Sequence, residues 1–159
     1  MAQGDFSASF VLDGVAATAA LGARIAKGLK IGDAVALEGD LGAGKTELAR
    51  AILRSLDIGE SIPSPSFTLV QEYETQSFPV RHYDLYRIEE ASELRELALE
   101  DTLTEGVALI EWPDRMRRLP DGALRVRLDI VGEGVRRADI SGPVRWAGYF
   151  ASETDAGQS

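Results

Sequence analysis

The sequence predicts a three-layer α/β domain with a mixed, mainly parallel central sheet. Three features of the chain support this class. The apolar segment Ala34–Leu37 passes through a glycine-rich turn directly into a segment with apolar residues at helical spacing. A second run, Val107–Ile110, has the unbroken hydrophobicity of a strand buried on both faces. Strand-like and helix-like segments are also mixed along the chain, as they are in α/β domains.

The composition is that of one globular domain. The 159 residues are 45% hydrophobic and 27% charged, which allows a sizeable core. We expect residues 1–150 to form a single domain and residues 151–159 to form a flexible tail. The net charge of −9 argues against unassisted binding of nucleic acid, because phosphates require a basic surface. The chain has no cysteine, which excludes disulfides, zinc–thiolate sites and thiol nucleophiles.

The first half of the chain is predicted to hold two helices on either side of a strand. Apolar residues recur every four positions in both helices: Leu21, Ile25 and Leu29 in the first, and Leu48, Ile52 and Leu56 in the second. The first helix spans Val15–Leu29, and the second ends near Gly59. Charged residues interrupt the apolar region Val15–Leu37, so it is not a membrane span. The amino terminus also lacks the pattern of a secretion signal, and we therefore expect a cytoplasmic protein.

The second half of the chain is predicted to supply more strands. The segment "SIPSPSF" is a loop, and "TLVQEY" and "PVRHYDLY" form a hairpin that turns between Glu74 and Phe78. Ser92 is expected to cap a helix that continues to Ala98. "LRVRLDI" alternates apolar and charged residues and therefore predicts a half-exposed strand. We expect "RRADIS" and "VRWAGYF" to be further strands.

The glycine-rich turn "GDLGAGKT" has the pattern of a phosphate-binding loop. Gly39, Gly44, Lys45 and Thr46 match G-x-x-x-x-G-K-[ST], between a strand and a helix as the motif requires. Gly39, Gly42 and Gly44 let backbone N–H groups face a polyphosphate, and the helix start directs its positive dipole end at the same anion. Lys45 is expected to reach the β- and γ-phosphates, and Thr46 to hold Mg²⁺. The domain is therefore predicted to be P-loop NTPase-like.

Other parts of the chain indicate which nucleotide binds and which carboxylates are candidate metal ligands. Guanine-specific loops of this kind use an Asn-Lys-x-Asp segment, and this chain has no asparagine, so ATP is favoured. Mg²⁺ bound to a triphosphate needs a carboxylate at the end of a neighbouring strand. Glu111, after "VALI", has the cleaner pattern, and Asp84, after "VRHY", is the second candidate. The residues alone leave open which carboxylate organises the metal and which orients water.

Several nearby residues have less specific patterns. His82 is the one histidine, and its position inside a strand indicates a structural hydrogen bond rather than a role in the chemistry. Trp112 follows Glu111 and is expected in the core, although an aromatic ring there can also shape the pocket. Ser64, Ser66 and Thr68 lie in the proline-rich loop, where a hydroxyl can sense the γ-phosphate. This loop is interpreted as a nucleotide switch.

The motifs together resemble one known family. "GDLGAGKT", "SPSFTLVQEY", "HYDLYR", "ELRELALED" and "ALIEWPDRM", in this order, are similar to the TsaE family of tRNA threonylcarbamoyladenosine biosynthesis proteins. The resemblance covers Asp13 to Ser141. It implies a Mg²⁺-dependent ATPase that supports the threonylcarbamoyl modification of the tRNA adenosine beside the anticodon. It also implies the partners TsaD and TsaB, a transferase and its inactive paralogue, with tRNA engaged within that complex.

The resemblance also implies roles for individual residues. The expected nucleotide ligands are Gly39, Asp40, Leu41, Gly42, Ala43, Gly44, Lys45, Thr46, Thr68, Trp112 and Arg136. Thr46 and Glu111 would hold Mg²⁺, and Asp84 would be needed for hydrolysis, with Lys45 on the phosphates. Glu47 stands where the family usually has a second threonine, and we expect its side chain to point away from the phosphates.

Two other functions are compatible with these motifs. One is a small-molecule kinase, in which the arginine-rich segment Asp114–Arg118 would close over the phosphates. Against it, the chain has no evident acceptor pocket, and the segments between its strands are short for a lid. The other is a binding module that uses ATP as a switch and barely hydrolyses it, which the two carboxylates argue against.

Overall fold

Seven strands form one sheet in the described part of the chain. The structure, a computed structural model, describes residues 5–40, 42–58, 70–86, 99–116 and 118–150. The strands are β1 (Asp5–Asp13), β2 (Ala34–Glu38), β3 (Val70–Glu74), β4 (Pro79–Asp84), β5 (Val107–Glu111), β6 (Leu124–Gly132) and β7 (Val135–Pro143). Their order across the sheet is β1-β7-β6-β2-β5-β4-β3.

The four central strands run parallel and the outer strands run antiparallel to their neighbours. β6, β2, β5 and β4 are joined by parallel pairs, whereas β3 and the β1–β7 ribbon add antiparallel pairs at the two edges. The predicted mixed sheet with a parallel centre is thus confirmed. Because β2, β4 and β5 run in the same direction, their carboxyl ends lie together at one edge of the sheet. The loop after β2 and the side chains that end β4 and β5 therefore meet there.

Helices pack against both faces of the sheet. The helices are α1 (Val15–Gly28), α2 (Lys45–Ser55) and α3 (Leu99–Glu105). Ile25 and Ile52 of the α1–α2 layer share a buried cluster with Val35 and Leu109 on one face of the sheet. The opposite face carries a second cluster, in which Leu103 of α3 packs against buried strand residues. β2 and β5 are consequently apolar on both faces, and the three-layer prediction is confirmed.

The α1 and α2 helices approach each other closely at Gly22. A Cβ atom on Gly22 would lie 2.6 Å from the Cβ of Ala51 and 2.9 Å from the backbone nitrogen of Ile52. Only a hydrogen atom fits there, so the helix pair depends on glycine at this position. This packing holds α2, and therefore the loop that precedes it, firmly against the sheet.

Most predicted elements are confirmed, including the β3–β4 hairpin and the half-exposed strand β6, whose arginines are exposed and whose apolar residues are buried. The expected strand "VRWAGYF" is wrong. Val144–Trp146 is a 3₁₀ turn and residues 147–150 are helical. Trp146 and Phe150, four positions apart, are both buried, Trp146 against Gly28 of α1 and Phe150 against Phe6 of β1. The predicted helix from Ser92 to Ala98 lies outside the described residues.

The first strand was not predicted from the sequence. In β1 the apolar residues Phe6, Ala8 and Phe10 alternate with Ser7 and Ser9, and Phe6 stacks on Phe150 with ring centroids 5.6 Å apart. The strand pairs with β7 along nine residues, from Asp5 to Asp13. None of the helices in the described ranges is long and apolar enough to cross a membrane.

Candidate functional site

The loop between β2 and α2 requires glycine at specific positions. Gly39, Gly42 and Gly44 have φ angles of 143°, 81° and 106°, which side-chain-bearing residues rarely adopt. At Gly39 a Cβ atom would also lie 2.5 Å from the carbonyl oxygen of Leu128. The loop therefore turns closely over β6, as the glycine pattern predicts. Leu41 lies outside the described residues.

The start of α2 is open to an anion. Gly44, in the left-handed conformation, is the N-cap residue and has no side chain to bond the first-turn N–H groups. Glu47 in that turn is exposed and pairs with Arg50 at 3.4 Å, so its carboxylate points away as expected. The N–H groups of a helix's first turn have no partner within the helix, and together with the helix dipole they give this end of α2 a partial positive charge.

Lys45 is a buried cation held by the loop. Only 5% of the residue is exposed, and its Nζ donates to the carbonyl oxygens of Gly39 at 2.6 Å and Asp40 at 3.0 Å. Burial lowers the pKa of the ammonium group, while the carboxylates of Glu111 and Asp84 partly offset this by raising it. A cation in this poorly solvated position would interact strongly with a phosphate.

Thr46 faces the end of β5. Its hydroxyl donates to the carboxylate of Glu111, at 2.9 Å from Oε1 and 3.0 Å from Oε2. Glu111 is only 2% exposed, and its Oε2 also lies 2.6 Å from Nε2 of His82. The two predicted metal ligands are thus in direct contact at the edge of the sheet. From its position in a strand, His82 was expected to make a structural hydrogen bond outside the site, whereas in the structure its ring contacts the carboxylate of Glu111.

Asp84 lies beside Glu111 but one strand further from the loop. The two residues are register partners at the ends of β4 and β5, and only β5 adjoins β2. Asp84 is 7% exposed, and its Oδ1 accepts a hydrogen bond of 3.0 Å from the N–H of Tyr86. Both carboxylates therefore face the same edge, with Glu111 nearer to Thr46.

Trp112 packs against the second buried cluster, as expected for a core residue, and it also lies beside Lys45. Its expected contact with a nucleotide stays a prediction. Trp112 is half-buried, and its ring centroid lies 3.9 Å from Nζ of Lys45. The residue has a φ angle of 61°, an uncommon conformation for tryptophan that directs the ring over the lysine. The ring of Tyr86 packs against it at 4.8 Å. An apolar run that stops at Glu111 cannot reveal this turn of the backbone.

Arg136 contacts the loop itself. From β7, its Nε donates to the carbonyl oxygen of Ala43 at 3.0 Å and its Nη2 to that of Gly42 at 3.1 Å. Because the guanidinium of Arg136 binds both carbonyl groups, it fixes the orientation of this part of the loop. Arg136 thus lies at the loop, and its expected contact with the nucleotide stays a prediction.

Two cavities formed by described residues flank the loop. One of about 430 Å³ extends from Gly39, Asp40 and Trp112 toward Arg118. The other, of about 240 Å³, adjoins the start of α2 and is lined in part by Leu12, Val15, Gly44, Glu47, Leu128 and Arg136. Thr68 and the proline-rich switch loop lie outside the described residues.

The donor set at this edge fits a magnesium–triphosphate. Thr46, Glu111 and Asp84 supply the oxygen atoms that Mg²⁺ prefers, and Mg²⁺ commonly takes few protein ligands beside its waters and a nucleotide's phosphates. The parallel sheet, the loop and the helix start define a P-loop NTPase-like domain.

Comparison with known proteins gives the family. The sequence model of the family described as threonylcarbamoyl adenosine biosynthesis protein TsaE matches residues 12–138. A Nostoc protein named tRNA threonylcarbamoyladenosine biosynthesis protein TsaE is 40% identical over 126 residues, which are 76% of this chain and 77% of the relative. The Bacillus subtilis protein of the same name is 38% identical over 109 residues, covering 67% and 68%. The chain belongs to the TsaE family.

A solved structure agrees with this assignment. The crystal structure of Bacillus subtilis YdiB superposes on the chain with a TM-score of 0.77 at 25% sequence identity, covering 98% of both chains. The match includes nearly the whole protein, so the order of strands around the loop is shared with an experimentally determined fold.

Proposed function

We propose that the site binds and hydrolyses ATP with Mg²⁺. The observation that carries this proposal is the contact between the Thr46 hydroxyl and the buried Glu111 carboxylate, beside the cation of Lys45. In the proposed complex, the loop N–H groups, the start of α2 and Lys45 bind the phosphates. Thr46 and Glu111 hold Mg²⁺, which when bound neutralises charge on the phosphate oxygens.

The cavity of about 240 Å³ is the proposed site of the nucleoside. It adjoins Gly44 at the start of α2, and Leu12, Val15 and Leu128 give it an apolar wall against which a planar base can pack. Arg136, bonded to the loop, lines the same cavity. The absence of an Asn-Lys-x-Asp segment supports adenine rather than guanine as the base.

The two carboxylates take different roles in the proposed reaction. Glu111 lies on the strand beside β2 and contacts Thr46, which supports the metal role for this residue. Asp84 is one strand further out, and we assign it the water that attacks the γ-phosphorus. Lys45 stabilises the negative charge that develops on the phosphate oxygens. Trp112 covers the lysine and limits the access of bulk water to it.

In the cell, this ATPase is proposed to support the threonylcarbamoyl modification of tRNA adenosine next to the anticodon. Family membership supports the pathway. We propose that the protein acts in the cytoplasm on the heterodimer of TsaD and TsaB, and that its turnover is slow until that heterodimer binds. The net charge of −9 supports contact with tRNA through the partners rather than through this chain alone.

Phosphate release from Mg–ATP tests the proposed activity. The protein alone should release phosphate slowly, and the TsaB–TsaD heterodimer should raise the rate. Lys45→Ala should lose ATP binding, because the cation that would face the β- and γ-phosphates is gone. Lys27→Ala, which removes an exposed lysine of α1, is the matched control and should behave as wild type. Wild-type ATP affinity in Lys45→Ala would contradict the site.

The same measurement separates the two carboxylates and the competing functions. Glu111→Gln should keep nucleotide and lose metal-dependent turnover; unchanged hydrolysis would assign the chemistry to Asp84 alone. Phosphorylation of an acceptor in a metabolite pool, in place of phosphate release, would indicate a kinase. No turnover with the heterodimer present would indicate a binding switch.

The pathway is tested separately in cells. A strain lacking the gene should lose threonylcarbamoyladenosine from its tRNA, and wild-type protein should restore the nucleoside while Lys45→Ala should not. A normal level of the modified nucleoside in the deletion strain would exclude the proposed role, whatever the ATPase measurements show.

A further inference from the structure

His82 and Glu111 form a buried side-chain pair that the proposed chemistry does not yet use. His82 is fully buried on β4, two residues before Asp84 and on the same face of the strand. Its register partner on β5 is Leu109, two residues before Glu111. The ring reaches forward along this face, and its Nε2 lies 2.6 Å from Oε2 of Glu111.

The chemistry of the pair fixes the direction of this hydrogen bond. In the ionised form in which Glu111 would hold a cation, its carboxylate can only accept, so Nε2 of His82 is the donor in that form. The other ring nitrogen, Nδ1, is buried and has no hydrogen-bond partner among the residues that the structure describes. The ring therefore makes one side-chain hydrogen bond there, and that bond is made to Glu111. A histidine that served only to fill the core would not need to place a donor on this carboxylate.

The carboxylate of Glu111 is consequently held from two sides. The hydroxyl of Thr46 approaches it from α2, and the ring of His82 approaches it from β4. A free glutamate side chain has several rotamers, and ordering them costs free energy when a ligand binds. We propose that His82 is a positioning residue, which holds Glu111 in the orientation that receives the nucleotide-bound cation.

The inference rests on the proposed metal role of Glu111 and extends it to a residue outside the loop motif. Groups that hydrogen-bond a metal's ligand orient that ligand, and their loss typically weakens metal binding by about 10- to 100-fold. Loss of the His82 hydrogen bond should therefore weaken binding of the cation and leave the contacts of the loop with the phosphates unchanged.

Two substitutions of similar shape separate a hydrogen-bonding role from a packing role. In His82→Gln, the amide nitrogen can occupy the place of Nε2 and donate to Glu111. In His82→Met, a side chain of similar length fills the space without a donor. Tyr83→Phe is the matched control, because it removes a buried hydrogen bond, made to Thr102 at 2.7 Å, from the adjacent position on β4.

The measurement is Mn²⁺ binding to the full-length protein saturated with β,γ-imido-ATP, followed by the electron paramagnetic resonance signal of free Mn²⁺. His82→Met should weaken Mn²⁺ binding about tenfold or more, whereas His82→Gln and Tyr83→Phe should stay within about threefold of wild type. Affinity for the nucleotide in EDTA should be the same in all four proteins, and thermal denaturation checks that each is folded.

The outcomes distinguish this inference from the proposed function. Wild-type Mn²⁺ affinity in His82→Met overturns the positioning role and leaves the ATPase proposal intact. An equal loss in His82→Gln and His82→Met also overturns it, because the donor then makes no difference. If His82→Met does not fold, weak Mn²⁺ binding by folded His82→Gln overturns the inference, and near-wild-type binding supports it. A wild-type protein that binds nucleotide without Mn²⁺ overturns the metal role of Glu111 and the inference together.

Discussion

At the scale of single residues, Lys45 shows how much of the site is already arranged in the protein alone. Its ammonium group is held by two loop carbonyl oxygens and lies over the ring of Trp112. The group is buried, so water solvates its charge poorly, and this lowers its pKa. A phosphate that enters meets a cation with little hydration to lose, which is the condition for a strong electrostatic interaction.

The glycines of the loop can be tested as a pair. Gly39→Ala should destabilise the protein by about 3 kcal/mol or more, because its positive φ is strained and its Cβ atom meets the carbonyl oxygen of Leu128. Gly42→Ala has the same kind of strain but open space around the Cβ atom, and should cost only about 1–2 kcal/mol. Urea denaturation gives both values. Equal losses would show that the contact with Leu128 is unimportant.

At the scale of elements, the position of the site follows from helix packing and strand order. α2 is held against the sheet through its contact with α1, and it projects Lys45 and Thr46 from its first turn. β5 lies between β2 and β4, so the residues that end β4 and β5 face that turn. Lys45, Thr46, Asp84 and Glu111 of the candidate site are thus placed by regular elements rather than by a long loop.

The close approach of α1 and α2 gives a prediction for the helix pair. Gly22→Ala should destabilise the protein, because overpacking at the Cβ of Ala51 costs about 1–3 kcal/mol and outweighs a gain in helix propensity of about 1 kcal/mol. Gly148→Ala, also helical but with open space around it, should be stabilising by up to about 1 kcal/mol. Thermal unfolding compares the two. A stabilising Gly22→Ala would mean that the helices can separate at little cost.

The sequence predicts the elements that carry local periodicity and misses those that depend on distant partners. An apolar run that ends in a carboxylate was enough to predict Glu111, and the loop motif was enough to predict Lys45 and Thr46. His82 and Glu111 are 29 positions apart in the sequence, and their contact depends on the pairing of β4 with β5, which no local pattern encodes. The same limit explains the segment from Val144 to Phe150, in which four-residue spacing marks a helical turn but apolar character alone suggests a strand.

At the scale of the whole molecule, the helices in the described ranges pack unequally on the two faces of the sheet. α1 and α2 pack on one face, and α3 packs on the other at β4 and β5. On β6 and β7, the face opposite α1 and α2 carries exposed arginines paired with acidic residues, as in the contact of Arg137 with Asp139 at 3.2 Å and with Asp129 at 3.8 Å. Pairing within the face limits the net charge there, even though the protein as a whole is acidic.

Global stability should fall at alkaline pH in a way that depends on Tyr83. Burial raises the pKa of this phenol, although the hydrogen bond with Thr102 and the charge of Arg81 lower it in part. Because the folded pKa is raised, the neutral phenol stabilises the fold below the unfolded value of about 10, and this contribution is lost as the pH rises above it. Melting temperatures between pH 9 and pH 11 should therefore decrease less in Tyr83→Phe than in wild type.

The control for this prediction is the same variant at pH 7. There the substitution should cost only about 1 kcal/mol, because Thr102 keeps its hydrogen bond of 2.8 Å with Arg81. Identical slopes of melting temperature against pH in the two proteins would show that other groups control the alkaline transition.

The pairing of β4 with β5 also limits how this protein can diverge. His82 and Asp84 reach the site because they occupy alternate positions on one face, opposite Leu109 and Glu111 in the register of the two strands. Inserting or deleting one residue in β4 upstream of His82 would turn both side chains toward the α3 layer and bring Tyr83 to face α2. Insertions or deletions within this strand are therefore tolerable only in multiples of two residues. In homologous chains, the number of residues in this strand before the histidine position should differ only by even numbers, even where the residues themselves differ.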